Sequence, residues 1–416
     1  MNTFSYLFVV ALALATVTRL WLTRRHVRHV RAHRDRVPDA FAPEIGIEAH
    51  QKAADYTIAK SRFNGVVIVF DALLLLVLTF GGLVQGLYDL TGGVAASTLP
   101  RGVLFFAALG LLLAIVEVPF DLYRAFVIEE RFGFNKMTKG LFAKDFVLGL
   151  AVSAALGLPF VALILWLMQS SGEMWWIYVW LAGVAFWLFV QYISPTVIAP
   201  LFNKFSPLQD QSLRQRIEDL LRRCGFESKG LFVMDGSKRS AHGNAYFTGF
   251  GRSKRIVFFD TLIQRHDGAE VEAVLAHELG HFRLRHVIKL TVLLGVLGFV
   301  FCWVLGIVRH TPWFFEGLNV RYPAPDAVAL TLFYLALPPF LFFLRPALAA
   351  YLRRNEFEAD AYAAEFAPAR NLIRALVKLY KDNAATLTPD PLHSAFYDSH
   401  PPAAARIARL EQLSKA

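Results

Sequence analysis

Seven apolar runs, each long enough to cross a bilayer, constrain this chain more than any other feature. They occupy residues 4–22, 65–88, 102–122, 146–168, 175–199, 287–308 and 327–351. A helix rises 1.5 Å per residue, so about 20 residues cross the roughly 30 Å of hydrocarbon. The runs at 146–168 and 175–199 carry no charge, and the others carry only Arg19, Asp71, Glu117 with Asp121, Lys289 or Arg345. A buried core helix accounts for one such run, not for seven. Charged residues make up only 18% of the chain, against about 25% in a soluble domain. With 37 Phe, 13 Tyr and 8 Trp, disorder is excluded as well. The fold class is therefore a mainly α membrane protein with seven transmembrane helices.

Lys and Arg placement predicts the orientation. Residues 23–62 hold nine of them and residues 123–145 hold five, whereas the alternate connections at 89–101, 169–174 and 309–326 hold one, none and two. The basic connections belong in the cytoplasm, which puts the N-terminus outside and the C-terminus inside. The first run has its charges after it rather than before it, so it reads as a retained anchor and not as a cleaved signal peptide. Lipid contact and orientation explain the net charge of +10 better than nucleic-acid binding does, since the basic residues cluster beside spans. Cys224 and Cys302 have no metal-ligand spacing.

Four regions follow: five spans with basic cytoplasmic connections at 1–199, a polar region at 200–286, spans six and seven at 287–351, and a second polar region at 352–416. In the first polar region, Leu213, Ile217, Leu220 and Leu221 fall at helical spacing. KGLFVMD and KRIVFFDTLI read as short strands. Asp267 and Glu270 then form a possible capping box for a helix. That helix reads AEVEAVLAHELGHFRLRH. His277 and His281 stand four apart, on one face, where two imidazoles can reach one metal ion. Glu278 can approach the reacting water without being a ligand, as a general base must. Val271, Val274, Leu275, Leu279 and Phe282 supply an apolar face that argues against a solvated surface helix.

A catalytic zinc takes three protein ligands plus water. The histidine-terminated extension of the motif is absent: Leu284 and Val287 occupy its Gly and His positions, and His286 comes one residue too early. The segment RRNEFEADAYAAEF, just after the last apolar run, offers Glu356 and Asp360 on one helical face and Glu358 on another. One of the first pair can ligate while the other orients a ligating histidine.

HELGH, two spans and then EFEAD resemble the type I CAAX prenyl protease family of integral-membrane zinc metalloproteases. EERFGFNKMT, ISPTVIAPLFNKFSPL, SKRSAHGNAYFTGFG and DSHPPAAARI resemble family signatures in family order. The resemblance covers most of the chain from about residue 45; the Arg/His-rich segment at 24–36 lies outside it. It implies one Zn2+ per chain on His277, His281 and Glu356, with Glu278 as base and Asp360 behind a ligating histidine. It also implies Asn244 and Ala245 as the edge that pairs with the substrate backbone, His400 beside the developing oxyanion, and Arg406 near the substrate or active site. The implied architecture is seven helices enclosing a chamber, capped by a cytoplasmic α+β metalloprotease domain of gluzincin type. Asp71, Glu117, Asp121, Lys289 and Arg345 suit a chamber, because intramembrane charges face a bundle interior or aqueous cavity; those near span ends can instead snorkel to the interface, so the chamber is favoured for Asp71 and both readings stand for Lys289.

The expected function is a zinc endopeptidase of a bacterial inner or endoplasmic-type membrane. It would cut a peptide or protein substrate, lipidated or not, near its C-terminus. A quality-control membrane metalloprotease is the second reading, and an inert chamber or transporter the third. The third leaves Glu278 without a purpose and lacks the paired broken spans of inverted repeats.

Overall fold

The computed structural model describes residues 1–228, 230–243, 245–248 and 255–415. Seven helical segments have the length and composition of membrane spans: Thr3–Ala32, Ile47–Leu78, Thr98–Glu129, Lys139–Ser170, Gly172–Phe202, His286–Val308 and Asp326–Phe366. Most outrun the apolar stretches that announce them. The first has 30 residues, about 45 Å at 1.5 Å each, so it extends well beyond the hydrocarbon. Asn2 caps its start through a box with Ser5, and no Gly or Pro interrupts it before Pro38. The Arg/His-rich segment is therefore mostly the C-terminal end of this helix and not a loop. Its Arg25 donates to Asp390 at 2.9 Å and Arg34 to Asp55 at 2.9 Å, tying the first span to the C-terminal region and to the second span.

Three sequence expectations need revision. The run at 65–88 is not one helix. The second span ends at Leu78, where Thr79 Oγ1 donates to the Leu75 carbonyl at 2.7 Å, and Gly82 at φ 70° turns the chain into a separate short helix, Leu83–Thr91. The last run is broken too: Pro338 and Pro339 precede a 3-10 turn at Phe342–Leu344, and a new helix, Arg345–Phe366, begins inside the expected span. Proline removes a helix donor and crowds the preceding turn, which accounts for the break. The third revision concerns the HELGH helix. It does not reach His286, as its sequence suggests it would: it covers Gly268–Arg283, and Arg285 at φ 59° separates it from His286–Val308.

Spans two to six bury only 6–11% of their most apolar windows, so most of their surface faces lipid or enclosed space. Between the first, second and last spans lies a cavity of about 500 Å³ lined by Arg19, Asp71 and Arg345 among apolar neighbours. Arg19 and Asp71 are 3.9 Å apart there.

The polar regions 200–286 and 352–416 share one core. Leu213, Ile217 and Leu220 from the helix Gln211–Arg223 pack with Leu275 and Leu279 of the HELGH helix and with Tyr362, Leu372 and Leu410 of the C-terminal region. A four-stranded sheet covers this core. Its strands are β1 (Phe205–Pro207), β2 (Leu231–Met234), β3 (Ala245–Thr248) and β4 (Arg255–Phe259), in the order β1-β2-β4-β3. β2 and β4 run parallel, β3 pairs antiparallel with β4, and β3 stands at an edge.

The HELGH helix and Arg345–Phe366 touch backbone to backbone at Gly280. A Cβ built there would meet Ala359 Cα at 3.0 Å and its carbonyl oxygen at 3.2 Å. Gly280→Val is therefore expected to lower stability by about 1–3 kcal/mol through overpacking. The check is thermal unfolding in detergent, and an unchanged melting temperature would refute the close approach.

Candidate metal centre

The capping box between Asp267 and Glu270 starts the HELGH helix. Glu270 is 1% exposed and accepts from Lys378 Nζ at 2.7 Å. Glu272 pairs with Arg216 and Arg223 on the helix Gln211–Arg223. These contacts, with Leu275 and Leu279 in the core, fix the rotation of the helix. His277 and His281 are thereby turned toward Arg345–Phe366, from which Glu356 faces them.

Three candidate ligand atoms converge. His277 Nε2 and His281 Nε2 are 3.2 Å apart, His281 Nε2 is 3.3 Å from Glu356 Oε1, and His277 Nε2 is 3.5 Å from Glu356 Oε2. Tetrahedral bonds of 2.0–2.1 Å place ligand atoms about 3.3–3.4 Å from one another. The three separations match, and Glu356 Oε2 is buried with no hydrogen-bond partner among the described residues. Among the described residues this is the one group of three that could hold a metal ion, and its donor set fits such an ion.

Each imidazole is held from behind. His277 Nδ1–H donates to Asp360 Oδ1 at 2.8 Å, leaving the Nε2 lone pair turned to the cluster. Burial alone would pull this imidazole down; the bonds to Asp360 and Glu356 outweigh it and lift it to about 9. Binding a cation there must displace a proton. His281 Nδ1 lies 3.1 Å from His286 Nδ1, whose Nε2 lies 3.2 Å from Glu358 Oε2. Both are possible because Arg285 takes the left-handed conformation, which costs a non-glycine residue about 1–2 kcal/mol and folds His286 back on His281. Spacing along a continuous helix hides this contact; the relation i+5 across a break was legible only as a near miss for a ligand.

Asp360, 0% exposed, also accepts from Arg406 Nε at 2.8 Å and Nη2 at 2.6 Å, and Arg406 Nη1 is 3.6 Å from Glu356 Oε2. Arg406 is 6% exposed. It sits beneath the ligand cluster, bracing Asp360 and Glu356, rather than on the face open to a substrate. His400 Nε2 reaches to 3.4 Å of Glu356 Oε1 from an exposed position. Its segment is fixed by Arg353, which donates to the carbonyls of Ser394 and Asp398 at 3.2 and 2.9 Å. Glu278 is half-buried beside His277, and among the described residues its carboxylate makes no hydrogen bond or ion pair. Ala245 opens the edge strand β3, opposite Phe258 of β4; Asn244 lies outside the described residues.

Two family models match the chain in succession: CAAX prenyl protease N-terminal, five membrane helices, over residues 26–204, and peptidase family M48 over residues 207–414. The chain belongs to peptidase family M48. An M48 relative, the CAAX prenyl protease 1 homolog of Arabidopsis thaliana, is 36% identical over 91% of each chain. CAAX prenyl protease 1 of Saccharomyces cerevisiae is 33% identical over 91% of this chain and 89% of its own. The crystal structure of S. mikatae Ste24p superposes with a TM-score of 0.93 at 29% identity, over 99% of this chain and 100% of that one. The protein is thus an integral-membrane metalloprotease with a metallopeptidase domain on a seven-helix membrane region.

Proposed function

We propose that this M48 protein is a zinc endopeptidase that removes the residues following a prenylated cysteine near a substrate's C-terminus. The observation that carries the reading is the convergence of His277, His281 and Glu356 on two helices that adjoin the sixth and seventh spans. A lipid-anchored C-terminus is presented at that membrane surface. Lys and Arg distribution puts this surface in the cytoplasm, with the N-terminus outside; whether the membrane is a bacterial inner or an endoplasmic-type one does not alter the chemistry.

His277, His281 and Glu356 would hold the zinc, which polarises a scissile carbonyl and lowers the pKa of water toward 7. Glu278, with no ion pair among the described residues, takes the proton of the attacking water and returns it to the departing amine. Asp360, backed by Arg406, keeps His277 in the tautomer that presents Nε2. His400 stands where it can donate to the developing oxyanion. Ala245, with Asn244, would offer backbone groups of an edge strand to an extended substrate.

The test is cleavage of a farnesylated CAAX-type peptide and its unprenylated twin by detergent-purified protein, with added chelator as control. Preferential cutting of the lipidated peptide, abolished by chelator and restored by Zn2+, is expected. Equal cutting of both would keep the zinc chemistry and replace the substrate class by membrane-protein quality control. Cutting that survives full chelation would refute the metal assignment.

A further inference from the structure

A second cavity, about 520 Å³, opens where β3 begins. The second span contributes Thr57, Lys60, Ser61 and Asn64 to its wall. These four lie at i, i+3, i+4 and i+7, one continuous helix face, and a polar stripe in a membrane helix requires something polar opposite it. From the protease domain come Ser240, His242 and Gly243, immediately before β3. Among the described lining residues Lys60 is the only Lys or Arg, and there is no Asp or Glu. Its ammonium lies 3.4 Å from Tyr56 Oη and 4.6 Å from the centre of that ring, with no ion pair among the described residues. Tyr56 spends its own proton on Glu129 at 2.5 Å, and Glu129 also faces His242 Nε2 at 3.5 Å. His242 Nδ1 and the Gly243 N–H both donate to Asn383 Oδ1, at 3.1 and 3.2 Å. Burial pulls His393, also on the wall, down to about 4, so it adds no charge near neutrality. The described lining thus sets the hydroxyls of Thr57, Ser61 and Ser240 and the amide of Asn64 around one cation that has no ion pair among the described residues.

We propose that this cavity receives the C-terminal carboxylate of the substrate, with Lys60 as its counter-ion. The inference rests on the reading of β3 as the substrate's pairing edge, and it extends that reading to what the enzyme measures at the far end. An extended substrate that adds antiparallel to β3 runs toward the start of that strand as it approaches its own C-terminus. A CAAX-type substrate has three residues after its cysteine, and three extended residues reach roughly 10 Å. Ala245 and His242 are also three positions apart in sequence, so a scissile bond near Ala245 would bring the terminal carboxylate toward the lining residues His242 and Gly243. A protease with such a counter-ion would cut a fixed short distance from a free C-terminus instead of anywhere along an unfolded chain.

The experiment uses the full-length protein and two farnesylated peptides that differ only in ending as carboxylate or carboxamide. The wild type is expected to prefer the acid by roughly 10-fold or more in kcat/KM, the effect of a hydrogen bond to a charged group. In Lys60→Met that ratio should fall toward one, while Lys60→Arg should retain most of it. The released tripeptide should inhibit the wild type as an acid and fail to inhibit as an amide, a readout that needs no variant to fold. Equal cutting of acid and amide by the wild type would overturn the proposal. So would an undiminished ratio in Lys60→Met, which would leave Lys60 merely balancing Glu129 across Tyr56. Failure to cut either peptide would instead remove the substrate assignment itself, and this inference with it.

Discussion

Glu278→Gln should abolish measurable peptide cleavage, by about 10²–10⁴-fold or more for loss of a general base, while leaving one metal ion bound per chain. The substitution is nearly isosteric, and the half-buried side chain has no hydrogen bond or ion pair among the described residues, so neither packing nor such a bond is disturbed. The ligand atoms belong to His277, His281 and Glu356, none of which touches Glu278 through a hydrogen bond. Metal content and thermal stability should therefore match the wild type while turnover disappears. Metal analysis beside a cleavage assay decides the matter. Substantial residual turnover in a metal-replete variant would mean that another group moves the proton, and loss of metal would mean that Glu278 is itself part of the ligand set.

The parts of this protein legible in the sequence are those with strong periodicity. Seven apolar runs announced seven spans, and a four-residue histidine spacing with a distant Glu–Asp pair announced the cluster that His277, His281 and Glu356 form. Hidden were features that depend on where helices stop. The run at 65–88 carries one charge and no proline, and only the Gly81–Gly82 pair hinted at a reversal. The left-handed Arg285 left no compositional trace, so the contact of His286 with His281 could not be foreseen. Arg406 was legible as a residue near the active site, but not its contact with Asp360 and Glu356. Its depth beneath Asp360 is a product of packing between the helices Arg345–Phe366 and Ala403–Leu413, which local pattern does not encode. The Arg/His-rich segment misled in the same way. Its charges suggested a loop at a lipid surface, whereas Arg25 and Arg34 are committed to Asp390 and Asp55.

Asp360→Ala is the substitution expected to damage both stability and metal affinity, and the two losses can be separated. Asp360 accepts two bonds from Arg406 and one from His277. Its removal leaves the buried guanidinium without its principal partner, which costs about 3–5 kcal/mol when one member of a buried pair is deleted. The remaining carboxylate within reach of Arg406 is Glu356, 3.6 Å away. Arg406 should draw Glu356 Oε2 toward itself and compete with the metal for it. His277 meanwhile loses the acceptor that fixes its tautomer. Loss of such a supporting partner lowers metal affinity by about 10–100-fold. The double variant Asp360→Ala/Arg406→Met removes both charges of the pair. It should recover much of the melting temperature, since an apolar replacement of a buried pair is often neutral, yet its metal affinity should stay low because His277 is still unsupported. Thermal unfolding and chelator competition on the three proteins give the two readouts independently. If the double variant regained full metal affinity, Asp360 would act only by neutralising Arg406, and the orientation of His277 would have to come from elsewhere.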